Sequence, residues 1–262
     1  MKSDGYKKYL LKIKITKYLI ILSQLSILIL LIIIWQSLAN HNLINTFITS
    51  SPKNILTTII DLYQTNNLFH HILITIYETI ISFTLGTIIG IIIAIILWYN
   101  KFIYKVIDPY LTIINSLPKV SLGPILIIWV GANIKSIIVM ALLISVIITT
   151  ITVYNGFIST DFNKIKLIKS FKANKIQTLK YLILPNNYPT IISSLKINIS
   201  MSLIGVIMGE LLVSKEGIGY LIMYGSQVFN LDLVITGIII LMIVSYLMYL
   251  IISYLEKKLI KY

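Results

Sequence analysis

Three ionisable side chains fall within or beside long apolar runs: Glu78, Lys196 and Glu210. A charge in hydrocarbon is expensive, so such residues turn to a cavity, a partner or one another. They serve equally well as polar contacts between helices or as long side chains that reach an interface. Catalysis or metal binding would need a tighter gathering. His41, His70 and His71 lie in one polar stretch with no cluster of acids around them, and the chain contains no Cys. Disulfides and thiolate metal sites are therefore excluded. No Gly-x-x-x-x-Gly-Lys-Ser/Thr loop occurs, so the usual backbone cradle for nucleotide phosphates is missing. No catalytic residue, no metal and no cofactor is expected. What remains is polar chemistry suited to a passage: Asn115, Ser116 and Pro118 in one apolar stretch, and Asn198, Ser200, Ser202 and Glu210 in another. Polar groups and helix-breaking prolines at membrane depth are tolerated where they line a cavity or meet protein. A further segment stands outside the apolar runs. Its Leu167, Ile168, Phe171 and Ile176 form an apolar stripe, and Lys164, Lys166, Lys169, Lys172 and Lys175 form a basic face. Such a helix suits a membrane surface or a partner groove, and composition alone favours the surface.

The elements that must position these residues are long and apolar. The 262 residues are 57% hydrophobic and 12% charged, with a mean hydropathy of +0.92. A soluble domain carries about a quarter charged residues. Apolar runs of about 18 residues or more read as spans, because about 20 residues of helix cross a core of about 30 Å. Spans are expected over residues 18–38, 72–98, 109–130, 137–153, 190–213 and 234–254, giving an all-α polytopic membrane protein with about six transmembrane helices. The first run is long for a signal-peptide core and is read as a retained helix. An interfacial helix is expected over 52–63, opened by Pro52. Residues 100–108 read as a short loop, and Pro118 and Pro124 interrupt the third span. Gly86-x-x-x-Gly90 with Ala94, and Gly205-x-x-x-Gly209, put small residues on one helix face for close packing. Glu216-Gly-Ile-Gly-Tyr220 reads as a tight turn that could close a mouth.

The net charge is +13, and all 22 basic residues are lysine. The lysines separate by side. Residues 1–17, Lys101 with Lys105, residues 164–180 and the tail fall on one side, against Lys53, Lys135 and Lys215 on the other. Cytoplasmic loops carry the lysine excess, so both termini are expected inside. The charge thus speaks for membrane lipid as a partner and against nucleic acid. The chain reads as one transmembrane domain, 1–262, with a cytoplasmic basic head at 1–17 and a cytoplasmic loop at about 155–188. A carrier working alone would show internal repeats with broken helices at matching positions, and none is evident.

Several stretches carry a resemblance. Ala173, Leu184 and Pro185 match in register the Glu-Ala-Ala loop of ABC importer permeases. Lys166 stands for its Glu, Leu167 and Ile168 for its alanines, and Lys172 for its Gly. Pro109, Ser116-Leu-Pro118 and Leu122-Gly-Pro124 through Trp129-Val-Gly131 resemble the third-helix region of the nitrate/sulfonate/taurine-type permeases. Asn155-Gly156, Pro189, Ser194-Leu-Lys196 and Gly209-Glu210 through Glu216-Gly-Ile-Gly-Tyr220 follow the same family in order and spacing. Glu78 stands where that family would have a base. The resemblance covers about residues 50–260. It implies a type I ABC importer permease fold in a bacterial inner membrane, or a plastid one. The chain would be a transporter subunit and not an enzyme. It would carry a nitrate-, sulfonate- or taurine-like anion or a vitamin precursor. Its partners would be two copies of an ATP-hydrolysing subunit, a second permease copy and an extracytoplasmic solute-binding protein. Residues 161–179 would form the coupling helix that seats in the ATPase, with Lys166, Leu167, Ile168, Lys169, Phe171, Lys172 and Ala173 at the contact. Its lysines imply an acidic groove on the partner. Lys172 in place of Gly would raise helix propensity by roughly 1 kcal/mol at an interior position.

Overall fold

The computed structural model describes residues 4–65 and 67–260. Lys2 of the basic head and Lys261 and Tyr262 of the tail lie outside the described residues. Among the described residues every regular element is helical. Isoleucine-rich runs are mediocre helix formers in water, but in lipid only a helix satisfies its own backbone, and that decides the local structure.

Helix α1 spans Asp4–Asn40, followed by a single turn, α2, Thr46–Thr49. Helix α3 is Pro52–Gln64, started by Pro52 in its first turn and by Ser51, whose hydroxyl accepts from the Asn54 N–H at 3.2 Å. The long helices are α4, Asn67–Tyr99, α7, Ile134–Ile158, α10, Leu184–Val213, and α12, Leu231–Leu259. Between α4 and α7 lie α5, Lys101–Ser116, and the eight-residue α6, Gly123–Val130, joined by a 3-10 turn at Lys119–Leu122.

Two expectations are corrected here. Residues 100–108 are not a loop. Asn100 caps α5 by accepting from the N–H groups of Phe102 and Ile103, and Pro109 sits inside that helix. The third span is also not one interrupted helix but two helices bent by 93°, with Pro118 in the bend and Pro124 in the first turn of α6. The proline at 124 costs nothing there, because the first-turn N–H has no helical partner anyway.

Packing fixes the direction of each helix. Gly86 meets Ser145 and Gly90 meets Thr149, so α4 and α7 run parallel. Gly205 meets Ala141 and Gly209 meets Ile137, so α10 runs antiparallel to α7. Two parallel neighbours require the chain between them to return, so the bent α5–α6 pair makes one net crossing. Lys175 Nζ donates to the Tyr99 carbonyl at 3.3 Å, which puts the α7–α10 connection on the face where α4 ends. Glu256 of α12 meets Ser193 and Lys196 of α10, whereas Asp232 at its start meets Asn54 of α3. Gln36 near the end of α1 accepts from the Lys53 N–H at 2.9 Å. Among the described residues five helices are long and apolar enough to cross a membrane, six spans if the bent pair counts as one, and α1 begins and α12 ends on one lysine-rich face.

The small-residue seams let backbones approach. A Cβ added to Gly209 would lie 2.9 Å from Ile137 Cα, well inside contact distance. The apolar core has an outer part, with Ile199, Leu203, Ile207, Ile218 and Ile240, and a part on the lysine-rich side, with Leu97, Val153, Phe157 and Ile183.

Candidate functional site

The connection between α7 and α10 is a helix–turn–helix rather than one helix over 161–179. Asp161 caps α8, Phe162–Ser170, by accepting from the Asn163 N–H at 2.8 Å. At the far end the Lys172 N–H donates to Lys169 O at 2.9 Å and the Ala173 N–H to Ile168 O at 3.4 Å. These two bonds make a Schellman stop, whose left-handed residue is usually glycine. Here it is Lys172, at φ +57°. The expectation that Lys172 strengthens the helix is thus corrected: it ends the helix in a conformation that costs a residue with a Cβ about 1 kcal/mol. Asn174 then starts a short helix α9, Lys175–Thr178, in a reciprocal capping box with Gln177. A π-helical turn, Leu179–Ile183, leads directly into α10.

This segment is anchored to the bundle. Ile165 packs beside Leu97 and Phe157, Lys164 Nζ donates to Asn186 Oδ1 at 2.9 Å, and Asn187 Nδ2 donates to Thr160 Oγ1 at 2.8 Å. Ile168 and Ala173 are half-buried beneath it. Leu167 and Phe171 point away, 60% and 77% exposed. Lys166, Lys169 and Lys172 are exposed around them, Lys166 with its Nζ 4.6 Å from the Phe162 ring centre. Two exposed apolar side chains thus stand among exposed lysines on this segment.

The ionisable and polar residues of the spans separate into three places. Glu210 is 1% exposed near the end of α10. Its Oε1 accepts from Thr75 Oγ1 and its Oε2 from the Gly219 N–H, each at 2.6 Å. Thr75 in turn accepts from the Ile218 N–H at 2.8 Å, and His71 Nδ1 accepts from the Gly217 N–H at 3.0 Å. Together they hold the start of α11, Ile218–Gln227, against α4. Gly217 has φ +98°, which only glycine adopts freely. Glu78 is buried one turn along α4 from Thr75. Lys196 joins neither acid; it pairs with Glu256, which also accepts from Ser193 at 2.9 Å.

Asn198 and Ser202 lie fully buried in the bundle. Asn198 Nδ2 donates to Thr87 Oγ1 at 2.6 Å, while Asn198 Oδ1 and Ser202 Oγ have no partner among the described residues. Asn115, Ser116 and Pro118 are exposed at the bend between α5 and α6. The six candidate pathway residues are thus not one wall: three sit in the bundle interior and three on the surface of the bent pair. His71 and Thr75 were missed by sequence reasoning, because only the fold brings them to the turn before α11, which occupies 214–217 rather than running to Tyr220, since α11 already begins at Ile218.

The whole arrangement has known relatives. Residues 86–261 match the family described as binding-protein-dependent transport system inner membrane component. The chain is 28% identical over 232 residues to SsuC of Bacillus subtilis (strain 168), a permease protein named for aliphatic sulfonates transport; the match covers 88% of this chain and 84% of that one. It is 27% identical over 192 residues to ThiX of Halalkalibacterium halodurans, a formylaminopyrimidine transport permease protein, covering 73% and 76%. Among solved structures, a bacterial ABC transporter involved in import of the acidic polysaccharide alginate superposes with a TM-score of 0.65 at 16% identity, over 96% of this chain and 99% of that one. An inward-facing MetNI methionine ABC transporter superposes with a TM-score of 0.62 at 19% identity, over 71% and 93%. The fold is that of a type I importer permease. With well over half its length matched, the chain belongs to the binding-protein-dependent transport system inner membrane component family, the transmembrane permease subunits of ABC importers powered by a separate ATPase.

Proposed function

We propose that this permease works as a pair of identical chains in a bacterial inner membrane, with two ATPase subunits on its lysine-rich face and a solute-binding protein on the other. The solute in this reading is a small organic anion or vitamin precursor. Relatives at comparable distance are named for aliphatic sulfonates, taurine, formylaminopyrimidine and riboflavin. The observation that carries the reading is the pair Leu167 and Phe171, 60% and 77% exposed on a lysine-rich helix outside the spans. An amphipathic helix held by its own fold with its anchors outward is suited to a partner groove.

In this mechanism the ATPases grip α8 through Leu167 and Phe171, with Lys166, Lys169 and Lys172 meeting acidic groups of the groove and Ile168 and Ala173 backing the contact. Their closure displaces α8 and α9 together. The π-helical turn passes the motion to α10, a rod of 30 residues and about 45 Å. Such turns are frequent at functional sites. At its far end Glu210 moves with the turn at 214–217. Asn198 and Ser202 on α10, and Asn115, Ser116 and Pro118 at the bend, face solute in one or other state.

Single cysteines test the sidedness, since the chain has none of its own. An impermeant thiol reagent applied outside intact cells should mark Thr65→Cys and Ser226→Cys but not Ser170→Cys. Outside labelling at position 170 overturns the reading. Co-purification with an ATPase subunit, lost in Phe171→Ala, tests the docking. Alanine at Asn198 or Ser202 should change uptake at constant membrane amount; unchanged uptake in both removes them from the pathway.

A further inference from the structure

A cavity of about 370 Å³ opens on the lysine-rich face, between the ends of α4 and α7 and the α8–α9 segment. Lys101, Lys169 and Lys175 line it, one from the start of α5, one from α8 and one from α9, and no acidic residue does. Among the described residues none of these three lysines has a carboxylate within 4.0 Å. Lys175 meets only the Tyr99 carbonyl and stands 5.3 Å from the centre of the Tyr99 ring. Three cations lining one concavity without a counter-charge repel each other and favour an anion there.

The walls say which anion. Trp98 and Tyr99 end the spanning helix α4 and line the cavity. Trp and Tyr at a helix end sit at headgroup level. The rim is apolar, with Ile158 55% and Phe162 66% exposed. A free phosphate would use the lysines and leave that rim in water. A lipid uses both: its headgroup enters the basic pocket and its chains leave across the apolar rim. Basic pockets between helix ends on a cytoplasmic side suit such headgroups.

We propose that this cavity binds the phosphate-bearing headgroup of an anionic phospholipid, held by Lys101, Lys169 and Lys175. The three lysines belong to two bodies, the bundle and the α8–α9 segment, so the bound headgroup braces the segment against α4. A ligand that bridges two elements stabilises the arrangement in which both reach it. The lipid thereby sets the resting position of the docking surface. This site borders the proposed ATPase contact and shares Lys169 and Ala173 with it, whereas Lys101 and Lys175 belong to the cavity alone, and its occupancy does not depend on the transported solute.

The test uses the full-length permease with its ATPase in phosphatidylcholine nanodiscs, with fluorescent phosphatidylglycerol as the probe. Lys101→Gln with Lys175→Gln should weaken probe binding about 25-fold, from about fivefold per lysine. Lys101→Arg with Lys175→Arg should retain it. Lys257→Gln with Lys258→Gln, on the same face at the end of α12, should leave it unchanged. Unchanged binding in the first pair overturns the proposal. An equal loss in the Lys257 and Lys258 pair also overturns it, since general surface charge would then suffice. Displacement of the probe by millimolar inorganic phosphate would reassign the cavity to a free anion. Dissociation of the ATPase from the first pair with probe binding intact would reassign the lysines to acidic groups of that partner. Probe binding is read without solute, so its failure leaves the importer reading standing.

Discussion

At the α7–α10 seam Gly205 and Gly209 rest on the backbones of Ala141 and Ile137, and beside it Asn198, Ser202 and Glu210 are buried. On α8, thirty to forty residues earlier in the chain, Leu167 and Phe171 stand exposed. Here buried polar groups share the interior with the apolar core, while large apolar side chains stand exposed. The two arrangements have different causes. In the bundle the surrounding solvent is hydrocarbon, so small and polar residues hold helices together where greasy ones gain nothing by leaving lipid. On α8 the apolar side chains lie outside the spans, where exposure is costly and the proposed partner would remove it. One region is complete within the chain; the other, in the proposed reading, is half of an interface.

The strongest way to break this comparison is to enlarge the seam. Leucine at Gly205 or Gly209 forces helix backbones apart, and overpacking of this kind costs about 1–3 kcal/mol. We expect loss of monodisperse protein on extraction. The same residue change at Ser170, exposed at the end of α8, should leave yield and melting temperature unaltered. Normal yield from Gly209→Leu would mean that the α7–α10 contact is looser than described.

Next in size is Glu210→Ala, which strips the acceptor from both Thr75 and the Gly219 N–H. Orphaning a buried donor costs about 1–3 kcal/mol. The melting temperature should fall, and protease cutting within 214–220 should rise. Glu210→Gln keeps one acceptor oxygen and should lie between Ala and wild type. Equal behaviour of Gln and Ala would show that the carboxylate, not its hydrogen bonds, holds the turn.

On the docking side, Phe171→Ala should leave melting within about 0.5 kcal/mol of wild type. Its effect appears in the complex, where truncating an aromatic anchor weakens binding about tenfold or more. Lys166→Glu with Lys169→Glu should uncouple ATP hydrolysis from uptake, and acid-to-base changes in the partner groove should restore coupling. Normal transport by that double variant would instead place α8 on the lipid surface.

The smallest effect is the most local. Lys172→Gly relieves the left-handed residue of the Schellman stop and should stabilise α8 by about 0.5–1 kcal/mol. Slower amide exchange over residues 165–171 would register it. Faster exchange would return Lys172 to a helix interior, as its sequence neighbourhood alone implies.

Most of the long apolar helices and the start of α3 were legible because hydrophobic runs and a Ser-Pro start are one-dimensional signals. So were the glycine pairs, since residues four apart must share a helix face. Residues 100–108 were misread because their mixed polarity resembles a loop, and only the Asn100 cap shows that a helix begins there. Lys172 was misread because the φ of a residue after nine helical ones depends on where the helix stops. The meeting of His71, Thr75 and Glu210 at Gly217–Gly219 joins residues up to 146 apart in sequence, and no local pattern records it. The sequence by itself thus determined that the long apolar runs are helices, because hydrocarbon forces such a run to satisfy its own backbone. Only the tertiary structure decided which side chains meet, because helix direction, the 93° bend and the glycine seams set that pairing by close contact across the bundle.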